Sequence, residues 1–290
     1  MIEAYLIHIL ILIAIYAIVA IALQLCLGFS GLLNLGHIAF FGIGAYTSAL
    51  LLLLGVPFIF CFLVAGLMAM VFGFILAIPT HKLKGDYLAL ATMGFSFVVY
   101  AVLLNWTELT RGPLGIPGIP KPNLFGFSFS DNFSFLILAV VIALGSYFII
   151  NRIVKSGFGK VLEGIRDDEL ATRVLGKNSF KMKSIALGVS AFFAGIAGSL
   201  YASYITFIDP SSFTIMQLIP VLLIVIVGGL ASLPGTIIAT FVLMALPEAL
   251  RFVGFPSSIV GPMRQILYAV ILLLILIYKP KGFFGRVEME

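Results

Sequence analysis

Charged residues are scarce in this chain of 290 residues. Asp, Glu, Lys and Arg make up 10% of the sequence, against roughly 25% in an ordinary soluble domain, and none occurs from Ala4 through His81. This shortage excludes a disordered tail, a coiled coil and a nucleic-acid-binding domain, because each needs a polar, heptad or basic composition. The formal net charge of +5 therefore needs an explanation other than nucleic acid.

Cysteine is also rare, which excludes a secreted disulfide scaffold. Cys26 and Cys61 both lie inside apolar runs, without CxxC or Cys/His spacing, so we interpret them as small buried hydrophobes rather than a redox or metal site. The sequence starts Met1-Ile2-Glu3 and lacks the basic stretch of a cleaved signal peptide. We therefore expect the first apolar run to be retained as a membrane span.

Catalytic motifs are missing as well. The histidines His8, His37 and His81 are far apart, and no HExxH, DxxD or GxSxG pattern occurs, so a membrane enzyme is disfavoured. A phosphate-binding GxxxxGK[ST] loop is absent too, because Gly159-Lys160 is followed by valine and Gly176-Lys177 by asparagine. We expect no ATP hydrolysis by this chain itself.

Apolar residues are what the chain has in abundance. They make up 62% of it, about 180 residues, enough for eight or nine segments of the ~20 residues that cross a bilayer. The predicted fold class is all-α, a polytopic membrane bundle of about 8–10 transmembrane helices in one domain over 1–290. Glycine and proline interruptions divide the sequence into nine spans. These are 4–27, 38–54, 58–79, 87–104, 133–150, 184–208, 213–229, 236–250 and 265–278.

The basic residues indicate which loops face the cytoplasm, where Lys and Arg accumulate in short loops. Eight of the 17 lie between Arg152 and Lys183, and three more follow the last span. We therefore predict that residues 151–183 form a cytoplasmic loop and that the C-terminus is cytoplasmic. The 105–132 connection, with four prolines, is then an ordered outer loop. Nine alternating spans would leave the N-terminus outside, although Arg251 and Arg264 would also fall outside.

One segment could change that count. Glycines, Asn34 and His37 between Gly28 and Tyr46 could form a broken or re-entrant helix, which adds a crossing and moves the N-terminus inside. The 31–41 segment can also be aligned, with two single gaps, to 229–241. Paired Gly/Pro-interrupted segments are typical of transporter pathways built from two related halves. If the halves are inverted repeats, the added crossing is favoured.

The spans contain almost no ionisable groups. Ion-coupled carriers usually hold such groups within the membrane, and the only nearby candidate is Glu248, three residues from Arg251. We interpret those two as a local ion pair at the membrane interface rather than a proton relay. If the chain is a transporter, its energy is expected to come from elsewhere.

The cytoplasmic segment is the predicted point of entry for that energy. Within 159–176, the apolar residues Val161, Leu162, Ile165, Leu170, Val174 and Leu175 fall at helical spacing, which predicts one amphipathic helix with glycines at both ends. A lipid-surface helix would be mainly basic on its polar face, whereas this face carries both signs of charge. A docking surface for a protein partner fits better, and a merely solvated loop is the alternative.

Several motifs in order resemble a known family. They are the 31–46 segment GLLNLGHIAFFGIGAY, the 84–89 segment KGDYLA, the 111–116 loop RGPLGI, the 159–176 helix with its core Ile165-Arg166-Asp167-Asp168-Glu169, the 194–202 run AGIAGSLYA, the 228–230 segment GGL with the 234–235 dipeptide PG, and the 279–285 segment KPKGFFG. The chain resembles the M-type (LivM-like) permease subunits of branched-chain amino acid ABC transporters. Gly164 and Thr172 depart from the small apolar residues expected in the helix.

The resemblance implies the partners. Such a permease forms one half of a membrane dimer, usually with an H-type permease, in the prokaryotic plasma (inner) membrane. Two cytoplasmic ATPase subunits use ATP to power it, and this chain carries no cofactor. An external solute-binding protein delivers leucine, isoleucine, valine or related amino acids. The predicted ATPase-docking residues are Gly159, Glu163, Arg166, Asp167, Asp168, Glu169 and Gly176.

A zwitterion with an apolar side chain needs neutral hydrogen-bonding groups along its pathway. The candidates are Gln24, Asn34, His37, Thr47, Ser48, Thr92 and Ser96, each with the alternative of a polar group that only joins helices. A pH-sensing His37 is disfavoured against a neutral imidazole bonded at a helix end. The alternatives for the whole chain are a permease for another solute (urea, a nucleoside or a sugar) and a self-sufficient channel or facilitator.

Overall fold

The computed structural model describes residues 2–83, 85–124, 127–252, 257–279 and 282–285. Nearly all of these residues are helical. The helices are α1 (Ile2–Gln24, continued by a π-helical turn over Leu25–Phe29), α2 (His37–Leu53), α3 (Phe58–Thr80), α4 (Gly85–Asn105), α5 (Thr107–Thr110), α6 (Asn132–Lys155), α7 (Gly157–Asp167), α8 (Glu169–Val174), α9 (Ser179–Ile205), α10 (Leu218–Gly228), α11 (Leu233–Phe252) and α12 (Ser257–Tyr278). Two short antiparallel pairs join β1 (Ile116–Pro117) to β4 (Phe207–Ile208) and β2 (Asn123–Leu124) to β3 (Phe127–Ser128).

The helices follow the predicted spans. Among the described residues, five helical segments are long and apolar enough to cross a membrane, namely Glu3–Phe29, Phe58–Thr80, Gly85–Asn105, Asn132–Lys155 and Ser179–Ile205. Shorter apolar helices cover His37–Leu53, Ile215–Gly228, Leu233–Glu248 and Gln265–Ile275. In chain order these segments coincide with the nine predicted spans, which confirms a polytopic helical membrane bundle.

The core of the bundle lies around α1, α2 and α9. Side chains such as Ile15 and Ile18 of α1 and Phe40 of α2 are completely buried. The outward faces of α3, α4 and α6 instead expose large apolar side chains, for example Leu67 and Val141. Apolar surface of this extent suits lipid rather than water, and it makes α1, α2 and α9 the rigid centre that positions the polar residues.

Small residues let the central helices approach closely. A β-carbon at Gly44 of α2 would lie 2.2 Å from the Gly195 carbonyl oxygen of α9, and one at Gly198 would lie 2.1 Å from the Phe41 carbonyl oxygen. Gly195 also faces the Ala65 backbone of α3. The small residues of the 194–199 run therefore serve the close helix packing that is typical of membrane bundles.

Contacts between remote segments show which helix ends lie together. The His81 ring packs on Phe180 with 5.0 Å between centroids, and Arg166 donates a hydrogen bond to the Gly28 carbonyl. The 30–36 and 81–83 connections therefore lie at the end of the bundle that carries residues 156–178. We call this the basic end. The amide of Phe283 donates to Val227 at the end of α10, and Gln24 near the end of α1 reaches Gly229, so residues 282–285 lie at the basic end too.

The first residues of α1 lie at the opposite end. His8 hydrogen bonds to the Tyr204 hydroxyl near the end of α9 at 2.7 Å, and the Tyr5 hydroxyl donates to the Glu248 carboxylate on α11. Strand β1 in the 106–131 connection pairs with β4 after α9. This arrangement matches the predicted alternation of nine spans, with the start of α1 across the bundle from residues 156–178.

The added crossing near residues 28–46 is not observed. The chain leaves the π-helical turn at Phe29, and α2 starts at His37, so 30–36 is a turn between two adjacent helices. A second turn, 229–232, separates α10 from α11. We call them the first and second breaks. Both lie at the basic end, so the two aligned segments have the same orientation and the condition that favoured an extra crossing does not hold.

Helix α10 is short because the segment before it enters the bundle. With 11 residues it is about 16 Å long at 1.5 Å per residue, about half of the hydrocarbon thickness. In the preceding 209–217 segment, the Phe213 ring packs against Phe41 at 5.5 Å and Tyr46 at 5.8 Å between centroids. Gly42 makes room for this ring, since a β-carbon there would lie 3.1 Å from it.

Some residues of the predicted charge pattern lie outside the described part of the chain. Lys84, Lys281 and Arg286 are among them, and for Arg251 and Arg264 the description covers the backbone but not the side chain. The predicted ion pair between Glu248 and Arg251 therefore stays a prediction.

Candidate functional site

The site starts where α1 stops being a regular helix. The π-helical turn Leu25–Phe29 follows Gln24 directly, and such turns are frequent at functional sites. Gln24 is completely buried. Its side-chain nitrogen donates to the Gly229 carbonyl at 2.8 Å, so one amide bridges the first helix and the second break. Its side-chain oxygen has no partner among the described residues.

The first break is held against α4 by polar side chains. The Asn34 side-chain oxygen accepts a hydrogen bond from the Gly36 amide at 3.0 Å, and the Thr92 hydroxyl oxygen accepts one from the Leu35 amide at 3.0 Å. The Thr92 hydroxyl in turn donates to the Ala89 carbonyl. These bonds satisfy backbone groups that leave regular helix, so Asn34 and Thr92 share one structural unit at the basic end.

His37 opens α2 inside the core. It is completely buried, and its Nε2 lies 3.1 Å from the Val19 carbonyl oxygen. Because a carbonyl can only accept, Nε2 carries a proton. The acceptor Val19 lies within α1, and the predicted neutral imidazole at a helix end stays a prediction. Its Nδ1 has no hydrogen-bond partner in the described ranges.

Several buried polar atoms of the site are unpaired with any described residue. They are Gln24 Oε1, Asn34 Nδ2, His37 Nδ1, Tyr46 OH, Ser96 Oγ and Ser203 Oγ. Buried polar groups normally have partners, so each such atom calls for an explanation. Four of the six belong to predicted pathway residues. Tyr46 and Ser203 were missed, since hydroxyls are frequent in these helices and their spacing carries no signal.

Of the remaining pathway candidates, Thr47 and Ser48 lie on α2, and Ser96 is buried on α4. The Ser48 hydroxyl hydrogen bonds to the Ser199 hydroxyl at 2.7 Å and so joins α2 to α9. Thr47, next to it, is half-buried. The structure therefore brings Gln24, Asn34, His37 and Thr92 to the breaks, and it places Ser48 in a helix contact.

Two adjoining cavities lie beside the first break, and the larger of them reaches residues 156–178. The smaller, of about 20 Å³, has Asn34 and Thr92 in its wall. The larger, of about 230 Å³, has Arg166, Glu169 and Lys183 in its wall. Both are also lined by Leu32, Leu83, Leu88 and Lys183. A charged opening at the basic end thus adjoins the neutral polar residues of the first break.

The predicted single helix over 159–176 is wrong, because two helices occur there. Helix α7 ends at Asp167 and α8 starts at Glu169, with an extended backbone at Asp168 between them. The Asp168 carboxylate accepts a hydrogen bond from the Ala171 amide at 3.0 Å and so caps α8. Asp168 therefore terminates one helix and starts the next.

Gly164 of α7 and Thr172 of α8 lie against each other in this segment. The Thr172 hydroxyl donates to the Asp168 carbonyl at 2.9 Å and is buried under α7. A β-carbon at Gly164 would lie 3.1 Å from that hydroxyl oxygen. Glycine at 164 therefore leaves room for the hydroxyl of Thr172, and this contact packs α8 against α7.

The glycines that bound this segment have different roles. A β-carbon at Gly159 would lie 1.9 Å from the Val154 carbonyl oxygen, so glycine is required where α7 folds back on α6. Gly176 is exposed and has a φ of 77°. Glycine adopts this conformation without strain, and it ends α8.

The interruption at Asp168 changes which side chains of α7 and α8 face outward. Leu162 and Ile165 are buried, as expected for an apolar face, but Leu170, Val174 and Leu175 are 66%, 88% and 78% exposed. Asp167 and Asp168 are exposed, and Glu163 is half-buried. Arg166 and Glu169 instead turn inward, with side chains that are 14% and 9% exposed. The outward surface of α8 is therefore more apolar than the sequence pattern indicated.

The comparisons with known proteins bear on the whole of this site. The family described as branched-chain amino acid transport system permease component matches residues 5–276, which include both breaks and residues 156–178. The chain belongs to this permease family. No solved structure matches it.

Curated relatives of the family match most of the chain. The chain is 40% identical to LivM of Escherichia coli strain K12, named a high-affinity branched-chain amino acid transport system permease protein, across 92% of this chain and 67% of the relative. It is 28% identical to a probable LivM of Methanocaldococcus jannaschii, across 77% and 67%. It is also 24% identical to LivH of E. coli, across 95% and 92%. These relatives are transport permeases by name.

Glu169 provides a test of the inner charge cluster of this permease. Its carboxylate pairs with Arg173 at 2.5 Å and Lys183 at 2.8 Å. Burial alone would raise the pKa of the Glu169 carboxyl, but hydrogen bonds and charge from Lys183 and Arg173 hold that pKa below its ordinary value. The ion pairs therefore stabilise the fold above the unfolded pKa of about 4.3, and this contribution is lost as the pH falls through the folded pKa.

We expect Glu169→Gln to lower the free energy of unfolding at pH 7 by roughly 1–3 kcal/mol, because Lys183 loses a buried charged partner. The difference from the wild type should shrink as the pH falls through the folded pKa of Glu169, which lies below its ordinary value, because below that pKa the carboxyl is protonated in both states. Thermal unfolding in detergent at pH 7 and at low pH measures this. Glu108→Gln, at an exposed carboxylate, is the control, and an equal deficit at both pH values would contradict the role of the ion pairs.

Proposed function

We propose that this chain is the membrane-embedded permease subunit of an ATP-driven importer for branched-chain or related hydrophobic amino acids. The observation that carries the proposal is 40% identity over 92% of the chain to LivM, whose name states this transport. The arrangement of nine apolar helical segments around two breaks supports a conduit rather than an enzyme or a surface protein.

The polar atoms near the breaks suit such a substrate. An amino acid with an apolar side chain carries one ammonium and one carboxylate group, so it needs both acceptors and donors. Gln24 Oε1 and His37 Nδ1 are acceptors, and Asn34 Nδ2 is a donor, each without a partner among the described residues. We take all three groups to be neutral. Neutral hydrogen-bonding groups can bind a zwitterion and release it again, because no fixed opposite charge retains it.

The energy source is proposed to be a pair of separate ATPase subunits at the basic end. Residues 156–178 carry mixed charge and, on α8, exposed Leu170, Val174 and Leu175, and such an apolar patch with a charged rim is typical of a protein interface. Since basic loops face the cytoplasm, we assign the basic end, and with it the C-terminus, to that side. ATP is then used by the partners, and the chain itself needs no cofactor.

Two further partners complete the proposed assembly. The chain is similar to LivM at 40% identity and to LivH at 24% identity over nearly its full length, which supports a permease dimer made of two homologous chains, M-type and H-type. The opposite end, with its 106–131 connection held by the β1–β4 pair, is the proposed docking side for an external solute-binding protein. Lipid surrounds the exposed apolar faces of the outer helices.

Reconstitution into liposomes tests the proposed function. The chain with its H-type partner, ATPases and binding protein should import leucine, isoleucine or valine only when ATP is present. The chain alone should show no flux, because nothing couples it to an energy source. Steady flux by the chain alone would favour a channel or facilitator. ATP-dependent import of urea, a nucleoside or a sugar, but of no amino acid, would assign another substrate.

A further inference from the structure

Arg166 of α7 points into the protein rather than toward a docking partner. Its side chain is 14% exposed, and Nη1 donates to the Gly28 carbonyl at 2.8 Å. Nε donates to the Asp167 carboxylate at 2.8 Å. The planar guanidinium is therefore held on two sides, by its neighbour in α7 and by the π-helical turn that ends the first transmembrane helix.

The acceptor carbonyl belongs to a residue in contact with the second break. A β-carbon at Gly28 would lie 2.7 Å from the Ala231 amide nitrogen, so the π-helical turn and the 229–232 turn touch through their backbones. One helical turn earlier, Gln24 donates to the Gly229 carbonyl. A displacement of the Gly28 peptide therefore acts on both breaks.

The stem of Arg166 also packs on the first break. A β-carbon at Gly31 would lie 2.9 Å from Cγ of Arg166, and Gly31 has a φ of 67°. Glycine thus allows both the backbone turn and the close approach of the side chain. The same arginine contacts the first break with its methylenes and the π-helical turn with its head group.

Room for movement exists beside this contact. The cavity of about 230 Å³ has Ser30, Gly31, Ile165 and Arg166 in its wall, so α7 is not packed solidly against the first break. Since this cavity lies between part of α7 and the first break, the hydrogen bond from Arg166, rather than close packing, transmits a displacement of α7.

We propose that Arg166 is a positioning residue that transmits movement of α7 and α8 to both breaks through the Gly28 carbonyl. The inference rests on the proposed function, since the movement is the one that partner ATPases would impose. A charge-assisted hydrogen bond from a fork held by Asp167 is strong and directional. Lysine would supply the charge but not the second, fixed donor. Docking itself is left to the exposed residues of α8.

The test compares Arg166→Ala with Lys160→Ala, which removes an exposed positive charge from the same helix. Each variant is assembled with the H-type permease, the ATPases and the binding protein. We expect Arg166→Ala to copurify normal amounts of ATPase and to hydrolyse ATP, while import per ATP falls by about tenfold or more, within the usual range of coupling between sites. Lys160→Ala should retain wild-type coupling. Loss of ATPase from the Arg166→Ala complex, or unchanged import per ATP, would overturn the proposal.

Two further variants test the proposal if Arg166→Ala does not fold. Arg166→Lys should fold and recover only part of the coupling, and Asp167→Ala, at an exposed side chain, should reduce coupling in the same direction. Wild-type coupling in both would overturn the proposal.

A second measurement tests the role of Arg166 independently of which substrate is imported. In a background of Cys26→Ala and Cys61→Ala, Leu33→Cys places a label site in the first break. Nucleotide should change its labelling rate in the complex with native Arg166 and leave that rate unchanged with Arg166→Ala. An equal response in both would overturn the role of Arg166, whatever solute the complex imports.

Discussion

Replacing Gly198 with leucine is expected to abolish accumulation of folded protein. A β-carbon at this position would lie 2.1 Å from the Phe41 carbonyl oxygen and 2.7 Å from the Ala45 amide nitrogen. Both obstacles are backbone atoms of α2, so no side-chain rotation can remove the clash. Overpacking a core by extra methylenes costs about 1–3 kcal/mol where side chains can yield. Here the cost should exceed that range and approach a total stability of about 5–15 kcal/mol.

Two matched variants provide the control for Gly198→Leu. Gly94 on α4 and Gly145 on α6 are also helical glycines, but a β-carbon at either would have no neighbour within 4 Å. Gly94→Leu and Gly145→Leu should therefore keep wild-type yield and melting temperature, or gain slightly from better helix propensity. Yield and monodispersity in detergent, followed by thermal unfolding, measure all three. If Gly198→Leu behaved like the two controls, α2 and α9 could not be packed as described.

A double substitution on α8 is expected to have the largest effect on assembly. Leu170→Asp with Val174→Asp places two charges on side chains that are 66% and 88% exposed, so the isolated chain should fold normally. If these side chains are buried by the ATPase, each contributes about 1.5–3 kcal/mol to docking. Their joint loss should weaken association by roughly a hundredfold or more.

Copurification of the ATPase with the permease measures this effect. Leu114→Asp is the control, because Leu114 is 77% exposed but lies in the 106–131 connection at the opposite end. It should leave ATPase association unchanged. Normal ATPase recovery with the double variant would contradict α8 as the docking surface, and poor yield of the variant chain by itself would show that these side chains are needed for folding.

The helix positions could be predicted from the sequence because two strong signals agree. Apolar runs of bilayer length indicate the spans, and glycine and proline indicate where the spans end. The interruption between α7 and α8 at Asp168 could not be predicted in this way. Leu162, Ile165, Leu170 and Val174 keep helical spacing across it, and an aspartate can either continue a helix or cap the next one. Only the bond from Ala171 to its carboxylate decides between these outcomes.

For the candidate site, the sequence identified residue types but not their partners. Polar residues in apolar runs pointed to Gln24, Asn34 and His37, which the structure places at or beside the breaks. Ser48 and Ser96 could not be distinguished, because one hydroxyl finds Ser199 on another helix and the other has no partner among the described residues. Such pairing depends on the rotation of two helices against each other, which composition and spacing do not determine.

The short C-terminal segment that contacts α10 has a consequence for biogenesis. The amides of Phe283 and Phe284 donate to the carbonyls of Val227 and Gly228. The last carbonyls of α10 are therefore hydrogen-bonded by residues that follow α12. A ribosome must therefore have made the polypeptide at least as far as Phe284 before this corner of the protein can close. Until then, two peptide oxygens beside the second break depend on water or on neighbouring segments for their hydrogen bonds.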